Sequence, residues 1–420
     1  MRISPNEVSF NDIEASETIY AQTSKFDKSR YFYRAFENPG PHLFSICDRQ
    51  EHSQDKKLIS YAMSRANITS HESSMYDKAT FFMDRIAQRA KVGQTIPLFP
   101  ISRCMTLDTI SDFAFGKPSR ALHLEDFHSP VFEAIEKGNG TVLLFQHFPL
   151  LHQLLNWAIR FNLGFVPNGF KDLIRSAEEG IQNMDSIGPW TLFKDMVSRA
   201  EKSTPLTKEH LVGEGMLMIV AGTDTTAASL SLTLHSLLQQ PEMYRKLQDE
   251  IRTVMPSLDS RPTIQSLDTL PLLDACLKEG LRIASPVQCR LPREVPADGW
   301  TYKGRYFPPG ASRVNVSTSP WYFHYNKDVF PDPTRYNPYR WLVEGEQKKT
   351  MLSYFQPFSK GRRQCIGQNL SLMEQKIVLA LFVRRFSPRE VLKRTIEWKE
   401  AVTAIPVDGV DVLVDLVKET

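Results

Sequence analysis

The chain has 420 residues, 41% apolar and 24% charged, a balance that supplies a large core and excludes a disordered or fibrous class. A formal net charge of +3 is too small to point to nucleic acid. The five cysteines, Cys47, Cys104, Cys276, Cys289 and Cys365, are scattered and form no C-x-x-C pair. They argue against a disulfide framework or a zinc site and for a reducing compartment.

In chain order, Val8 and Phe10 read as a strand and residues 11–20 as a helical turn. A loop rich in aromatics follows, with Phe26, Tyr31, Phe32, Tyr33 and Phe36, which either fill core or shape a cavity. A helical stretch opens at His52, and Lys56, four residues on, shares its face. Met105 to Phe115 has apolar residues at helical spacing and a terminating Gly116, the pattern of a core helix. Residues 142–170 are strongly apolar and broken by Pro149 and Pro167, so they form two short helices or a helix and a loop. Their Trp, Phe and Leu side chains suit a membrane surface as well as ordinary helix packing.

Thr204-Pro205-Leu206-Thr207 signals a loop and an N-cap. A long helix is predicted from Lys208 to Gln240, stopped by Pro241. Its middle, Ala221-Gly-Thr-Asp224-Thr225-Thr226, carries a glycine and three threonines, poor choices for a helix interior, the glycine alone costing up to about 1 kcal/mol. Residues that break local rules inside a long helix mark a candidate site. Thr225 can bond back to the carbonyl of Ala221 and open the helix to a water, which would let Asp224 pass protons inward. The next helix, from Pro271, carries Glu279 and Arg282 three apart on one face. Residues 284–339 are rich in proline and short strands, and residues 410–417 read as a terminal strand. No run of about 18 apolar residues encodes a transmembrane helix, and no signal peptide is visible.

Phe358-Ser-Lys-Gly361-Arg-Arg363-Gln-Cys365-Ile-Gly367 places one cysteine between two glycines, just before an amphipathic helix-like run. A thiolate there is favoured by free backbone N–H groups and the positive end of the helix dipole. This stretch resembles the haem-thiolate loop of the cytochrome P450 family, F-x-x-G-x-R-x-C-x-G, at all five fixed positions. Ala221 to Thr226 matches the family's A-G-x-[DE]-T-[TS] without departure. Glu279-x-x-Arg282 and Pro338-Tyr-Arg340-Trp341 stand between these motifs in the family's order.

The resemblance implies a mainly α fold with a small β-rich part, one cytochrome P450-like domain over residues 1–420. It implies haem b, with Cys365 as axial ligand to the iron and Phe358 shielding the sulfur. Gly361 and Gly367 would let the flat macrocycle approach the main chain, and Ala221 and Gly222 would leave room for dioxygen. Asp224 and Thr225 would deliver protons. His52, Lys56, Arg293 (with Arg290 as fallback) and Arg363 would hold the propionates. Lys56 stands where resembling fungal members have arginine, and lacks its bidentate fork. Glu279, Arg282 and Arg340 would form a buried structural set, and Pro286, Val287 and Gln288 would border the substrate.

The implied partners are O2, a small apolar organic substrate and an NADPH-dependent flavoprotein reductase, docking on Lys56, Lys57, Lys360 and Arg362. The wording of the motifs is most similar to that of fungal members that tailor secondary metabolites. Relative to a typical member, the chain is expected to lack the N-terminal membrane anchor and the first sheet strand. The family implies the cytosolic face of the endoplasmic reticulum; without a membrane span, the expected location is cytosolic or peripheral, with contact through residues 142–170. Two alternatives are a haem-thiolate isomerase or dehydratase, which the Asp224–Thr225 pair argues against, and a truncated, inactive haem-binding protein.

Overall fold

A 31-residue helix, Lys208–Leu238, forms the spine of the protein. It starts where Thr207 accepts a hydrogen bond from the His210 N–H, satisfying one of the orphan donors of the first turn. This computed structural model describes residues 1–37, 40–161, 168–182, 190–200, 206–310 and 314–417. Thr204 and Pro205, part of the expected loop signal, and Leu163, Phe165 and Pro167 of the apolar stretch lie outside the described residues.

The spine helix is long and apolar enough to cross a membrane, which the expectation of no such segment passed over because Asp224 and the threonines interrupt the run. Burial inside the protein covers 72% of its apolar window, so the hydropathy is that of a core helix. It lies along Leu98–Phe115, where the Thr106 hydroxyl donates to the Thr223 carbonyl at 3.0 Å. On another side it meets Pro271–Ala284, and a side chain on Gly280 would fall 1.8 Å from the Thr233 hydroxyl. That glycine is what lets the two backbones approach. The Thr226 hydroxyl shares a 2.9 Å hydrogen bond with Ser371, on the helix Gln368–Arg385 that follows Cys365.

The β structure is small and made of short pieces. One sheet orders its strands Arg2–Ser4, Glu7–Ser9, Asn315–Ser317, Arg293–Glu294 and Asp27–Lys28. The expected Val8 strand is thus the second arm of a hairpin and pairs in parallel with Asn315–Ser317. Asp411–Leu416 joins Phe386–Val391 and Ile96–Pro97 in a second sheet, bringing together segments about 300 residues apart. The apolar stretch resolves into Pro130–His147 and Pro149–Arg160, which meet at Phe148 because Pro149 cannot continue the first helix.

Glu279 is the hub of the region between these elements. It is completely buried and accepts from Arg282 Nε and Nη2 at 2.9 and 2.8 Å, and from Arg340 Nε at 3.0 Å. Trp341 Nε1 and the Asn337 N–H add bonds at 2.9 and 3.0 Å, two donors that motif reading did not include. Arg282 in turn donates to the carbonyls of His324 and Pro333, and Arg340 to that of Pro331. Glu279→Gln leaves two buried guanidiniums without a counter-charge. Its expected loss is about 3–5 kcal/mol in urea unfolding, against about 1 kcal/mol for Trp341→Phe, which removes a single donor. Equal losses for the two variants would contradict the hub.

Candidate active site around Cys365

The loop before the Gln368 helix is closed by its own backbone. The Cys365 N–H donates to the Phe358 carbonyl at 2.9 Å, and the Gln364 N–H to that of Gly361 at 3.0 Å. Gly361 has φ +68°, and a Cβ there would lie 2.0 Å from the Tyr20 carbonyl oxygen. Its glycine is therefore required by the crossing Tyr20–Ala21 backbone, a reason apart from macrocycle access. At Gly367 a Cβ would stand an ordinary 3.9 Å from Cys365 Sγ, so the absent side chain leaves the surface beside the sulfur clear.

Cys365 is exposed by surface area, yet the protein packed around it pushes its thiol pKa up, against the backbone N–H groups of Gly367 and Gln368, which lower it. Both descriptions fit a sulfur at the wall of a recess.

The spine helix shows the same pattern. Ala221 is exposed, and Gly222 and Thr225 are half-exposed, in the middle of a helix otherwise buried around them. Exposure at the centre of a core helix requires an open slot beside it. Thr225 donates to the Ala221 carbonyl at 2.8 Å. Gly222 does not simply leave room, since a Cβ there would sit 2.6 Å from the Ile110 side chain, so Ala221 is the small residue facing the slot.

Asp224 turns away from Thr225, as neighbouring helix positions must. It is buried and receives Arg103 Nε and Nη2 at 2.8 and 3.2 Å. Arg103 reaches the partly exposed Glu136 with Nη1 at 2.8 Å. Burial raises the Asp224 pKa, and Arg103 opposes that rise. Nothing in the sequence singled out Arg103, because its partner lies 121 residues away.

Positive side chains gather around the loop. Sheet register sets Lys28 directly opposite Arg293, a like-charge cross-strand pair that opposes the sheet. Both are buried. Lys28 Nζ donates to the Phe44 carbonyl at 2.5 Å and lies over the Tyr33 and Phe44 rings, while Arg293 donates to the Tyr33 hydroxyl at 2.8 Å. The aromatic loop thus builds the wall behind these cations: Phe32, Tyr33, Phe36 and Phe44 pack in edge-to-face and tilted contacts. Arg363 donates to the carbonyls of Ile46, Cys47 and Asp48, and Lys56 Nζ to that of Arg362 at 2.8 Å.

His52 is buried; desolvation and then the charges of Arg363, Lys28, Lys56 and Arg293 drive its pKa far down. Lys28 is lowered well below its ordinary value by burial, then by Arg293 and Arg363. Arg363 falls to about 10 by burial and Arg293. Among the described residues, none of Lys28, Arg293, Arg363 or Lys56 has a carboxylate ion-pair partner.

Arg290 is a correction to the fallback: its Nε pairs with Glu7 at 2.6 Å and ties down the N-terminal hairpin. Lys28 was missed, since a lysine in a two-residue strand carries no motif. Of the expected docking residues, Lys57 is exposed, whereas Lys360 and Arg362 donate to the carbonyls of Ser353 and Gln22. A cavity of about 240 Å³ lined by His71, Lys78, Asp112 and Trp190 includes neither Cys365 nor Thr225.

A thiol just before a helix start, a slot beside the spine helix and a set of buried and half-buried cations without carboxylate partners together fit a flat group with a metal at its centre and carboxylates at its edge. The residues present therefore suit haem. For the haem-free chain, Lys28→Met should raise the thermal midpoint, because it removes a buried charge that has no counter-charge. A depressed folded pKa means stability grows as pH rises toward the unfolded 10.5, and the variant should flatten that slope. Haem should leave the variant faster, as measured by transfer to an acceptor protein.

Comparison with known proteins shows the family. The family model described as Cytochrome P450 matches residues 6–406. The cytochrome P450 monooxygenase penB of Penicillium thymicola is 29% identical, over 95% of this chain and 92% of its own length. The cytochrome P450 monooxygenase claJ of Penicillium crustosum is 28% identical, over 92% of this chain and 90% of its own. The monooxygenase hkm5 of Aspergillus hancockii is 27% identical, over 97% of this chain and 80% of its own length. With the fold and the family model in agreement, the chain belongs to the cytochrome P450 family of haem-iron, oxygen-incorporating oxidoreductases.

Proposed function

We propose that this protein inserts one oxygen atom from O2 into a small apolar organic substrate, by hydroxylation or epoxidation, within fungal secondary metabolism. The observation that carries the reading is the placement of Cys365, in the loop that leads into the Gln368–Arg385 helix, and of Thr225, on the spine helix beside an open slot, with the two helices joined by the Thr226–Ser371 hydrogen bond. Haem, when bound, supplies the redox chemistry that activates O2, and a thiolate ligand favours O–O cleavage.

The chain's own residues do the rest. Cys365 supplies the thiolate, kept in place by the Phe358 carbonyl. Buried Lys28, Arg293 and His52, with half-buried Arg363 and Lys56, take the propionates, the anions that the buried cations call for. Thr225 supplies the hydroxyl at the slot and Asp224 the acid behind it. The guanidinium of Arg103 does not give up protons, so Asp224 must rotate off it to reach the Thr225 side. Glu136, already bonded to Arg103, keeps that arginine paired while Asp224 moves. Electrons come from an NADPH-dependent flavoprotein reductase.

Reduction with dithionite under carbon monoxide should give the strongly red-shifted Soret band of a haem thiolate, absent in Cys365→Ser. With reductase and NADPH, Thr225→Ala and Asp224→Asn should keep that band and keep consuming NADPH. Product per NADPH should fall by about tenfold or more, the scale of a lost proton-delivery group. Unchanged coupling in both variants would remove Thr225 and Asp224 from this role.

We further place the protein at the cytosolic face of the endoplasmic reticulum, touching the bilayer through the paired helices at 130–160. Leu143, Phe148, Leu150, Leu154, Trp157 and, just beyond, Phe161 are all more than half exposed, and positions 150, 154 and 157 share one helix face of the interfacial kind. Leu150→Ser with Leu154→Ser should lower co-sedimentation with phosphatidylcholine vesicles and spare the carbon monoxide spectrum; unchanged sedimentation would contradict the contact.

A further inference from the structure

A second cluster of ligating side chains lies away from Cys365, where the helix Arg49–Ser60 meets the start of the spine helix. Asp55 comes from the first of these, one residue before Lys56. His210 and Glu214 come from the second, four apart and therefore on one face. His210 Nε2 stands 3.2 Å from Asp55 Oδ2 and 3.9 Å from Glu214 Oε1. One ligand atom from each residue lies within 4.8 Å of the other two.

The cluster is enclosed. Glu214 is 0% and Asp55 7% exposed, with His210 at the rim. Its polar atoms are not consumed by the fold. Asp55 Oδ2, His210 Nε2 and Glu214 Oε2 are all buried without a hydrogen-bond partner among the described residues. His210 Nε2 and Asp55 Oδ2 stand as an ion pair when the imidazole is protonated, and a metal would replace that proton.

The Glu214 carboxylate is held from behind, because its other oxygen accepts the Leu43 N–H. That donor is pinned by two glycines. A Cβ on Gly40 would meet the Glu209 carbonyl at 2.9 Å, and one on Gly213 the Pro41 carbonyl at 3.0 Å. The segment 40–43 can therefore lie directly on the helix start.

Buried polar groups left unpaired are destabilising, so three that converge call for a common occupant. Carboxylate and imidazole ligands bind a metal in their deprotonated forms, so a cation entering the cluster takes the place of protons. The 3.2 Å between His210 Nε2 and Asp55 Oδ2 lies close to the edge of a tetrahedron with bonds of about 2.0–2.1 Å, which is roughly 3.3 Å, while Glu214, whose Oε1 is held by the Leu43 N–H, keeps Oε2 free as its ligand atom. One nitrogen and two oxygens suit zinc-class ions, whereas calcium needs six or more oxygens.

We propose that Asp55, His210 and Glu214 form a binding site for a divalent zinc-class cation. The ion cross-links the helix that carries His52 and Lys56 to the helix that carries Asp224 and Thr225. Loading it stabilises the folded chain by mass action and holds the two walls of the active site together.

The test uses the purified, haem-loaded chain, stripped with a chelator and titrated with zinc by calorimetry, with bound metal counted by mass spectrometry and the thermal midpoint read in parallel. The expected result is one saturable equivalent per chain, a raised midpoint, and a cobalt-substituted form with the intense visible bands of tetrahedral coordination. His210→Ala and Asp55→Asn should each weaken binding by more than about tenfold. Their carbon monoxide spectra report whether they fold, and Glu214→Gln serves if either does not. Absence of saturable binding, or equal affinity in parent and variants, overturns the proposal and makes the cluster a proton-sharing group.

Discussion

Positive charge without a counter-ion is the constraint around which this protein is arranged. Lys28 and Arg293 face each other across a sheet, buried, with Arg363, Lys56 and His52 close enough to depress one another's protonation. A fold does not gather such groups for stability, since each buried cation costs several kcal/mol unless it is paired. The protein spreads the cost over neutral partners: the Tyr33 hydroxyl, two aromatic faces and the carbonyls of residues 44–48. Those partners hold the cations in position until carboxylates arrive. Binding of haem and completion of the fold are then one thermodynamic process.

Rigidity elsewhere makes that arrangement possible. The Glu279 hub fixes Arg282, Arg340, Trp341 and the backbone at Asn337, and through them the segment that leads into the Cys365 loop. His324 continues the chain of contacts: its carbonyl accepts from Arg282, and its ring nitrogen accepts the Gln356 N–H at 3.0 Å, just before Phe358. The ring must be neutral for that, and burial together with Arg282 holds its pKa near 3. A single buried carboxylate thus positions a loop some 80 residues further along the chain.

The spine helix combines core packing with a site. Gly222 and Gly280 serve packing, letting Ile110 and Thr233 come close. Ala221 and Thr225 serve the slot. Asp224 belongs to a third environment, an ion pair with Arg103 on the helix Leu98–Phe115. Three successive environments on one turn follow from the 100° step between neighbours, and they separate the acid from the alcohol until Asp224 moves.

The sequence by itself determined what depends on short-range pattern. The loop from Phe358 to Gly367, the irregular middle of the Lys208 helix and the Glu279–Arg282 pair each lie within one or two turns. Loop chemistry, helix propensity and i,i+3 spacing express them locally. The helix spans were legible for the same reason, through periodicity and caps such as Thr207. Only the tertiary structure decided the partners. Lys28 meets Arg293 through a register set 265 residues apart, and Arg103 meets Asp224 across two packed helices. Arg290 goes to Glu7, and Gly361 answers to the backbone at Tyr20. Such contacts are fixed by packing and register between distant segments, and no local pattern encodes which buried charge will find which neighbour.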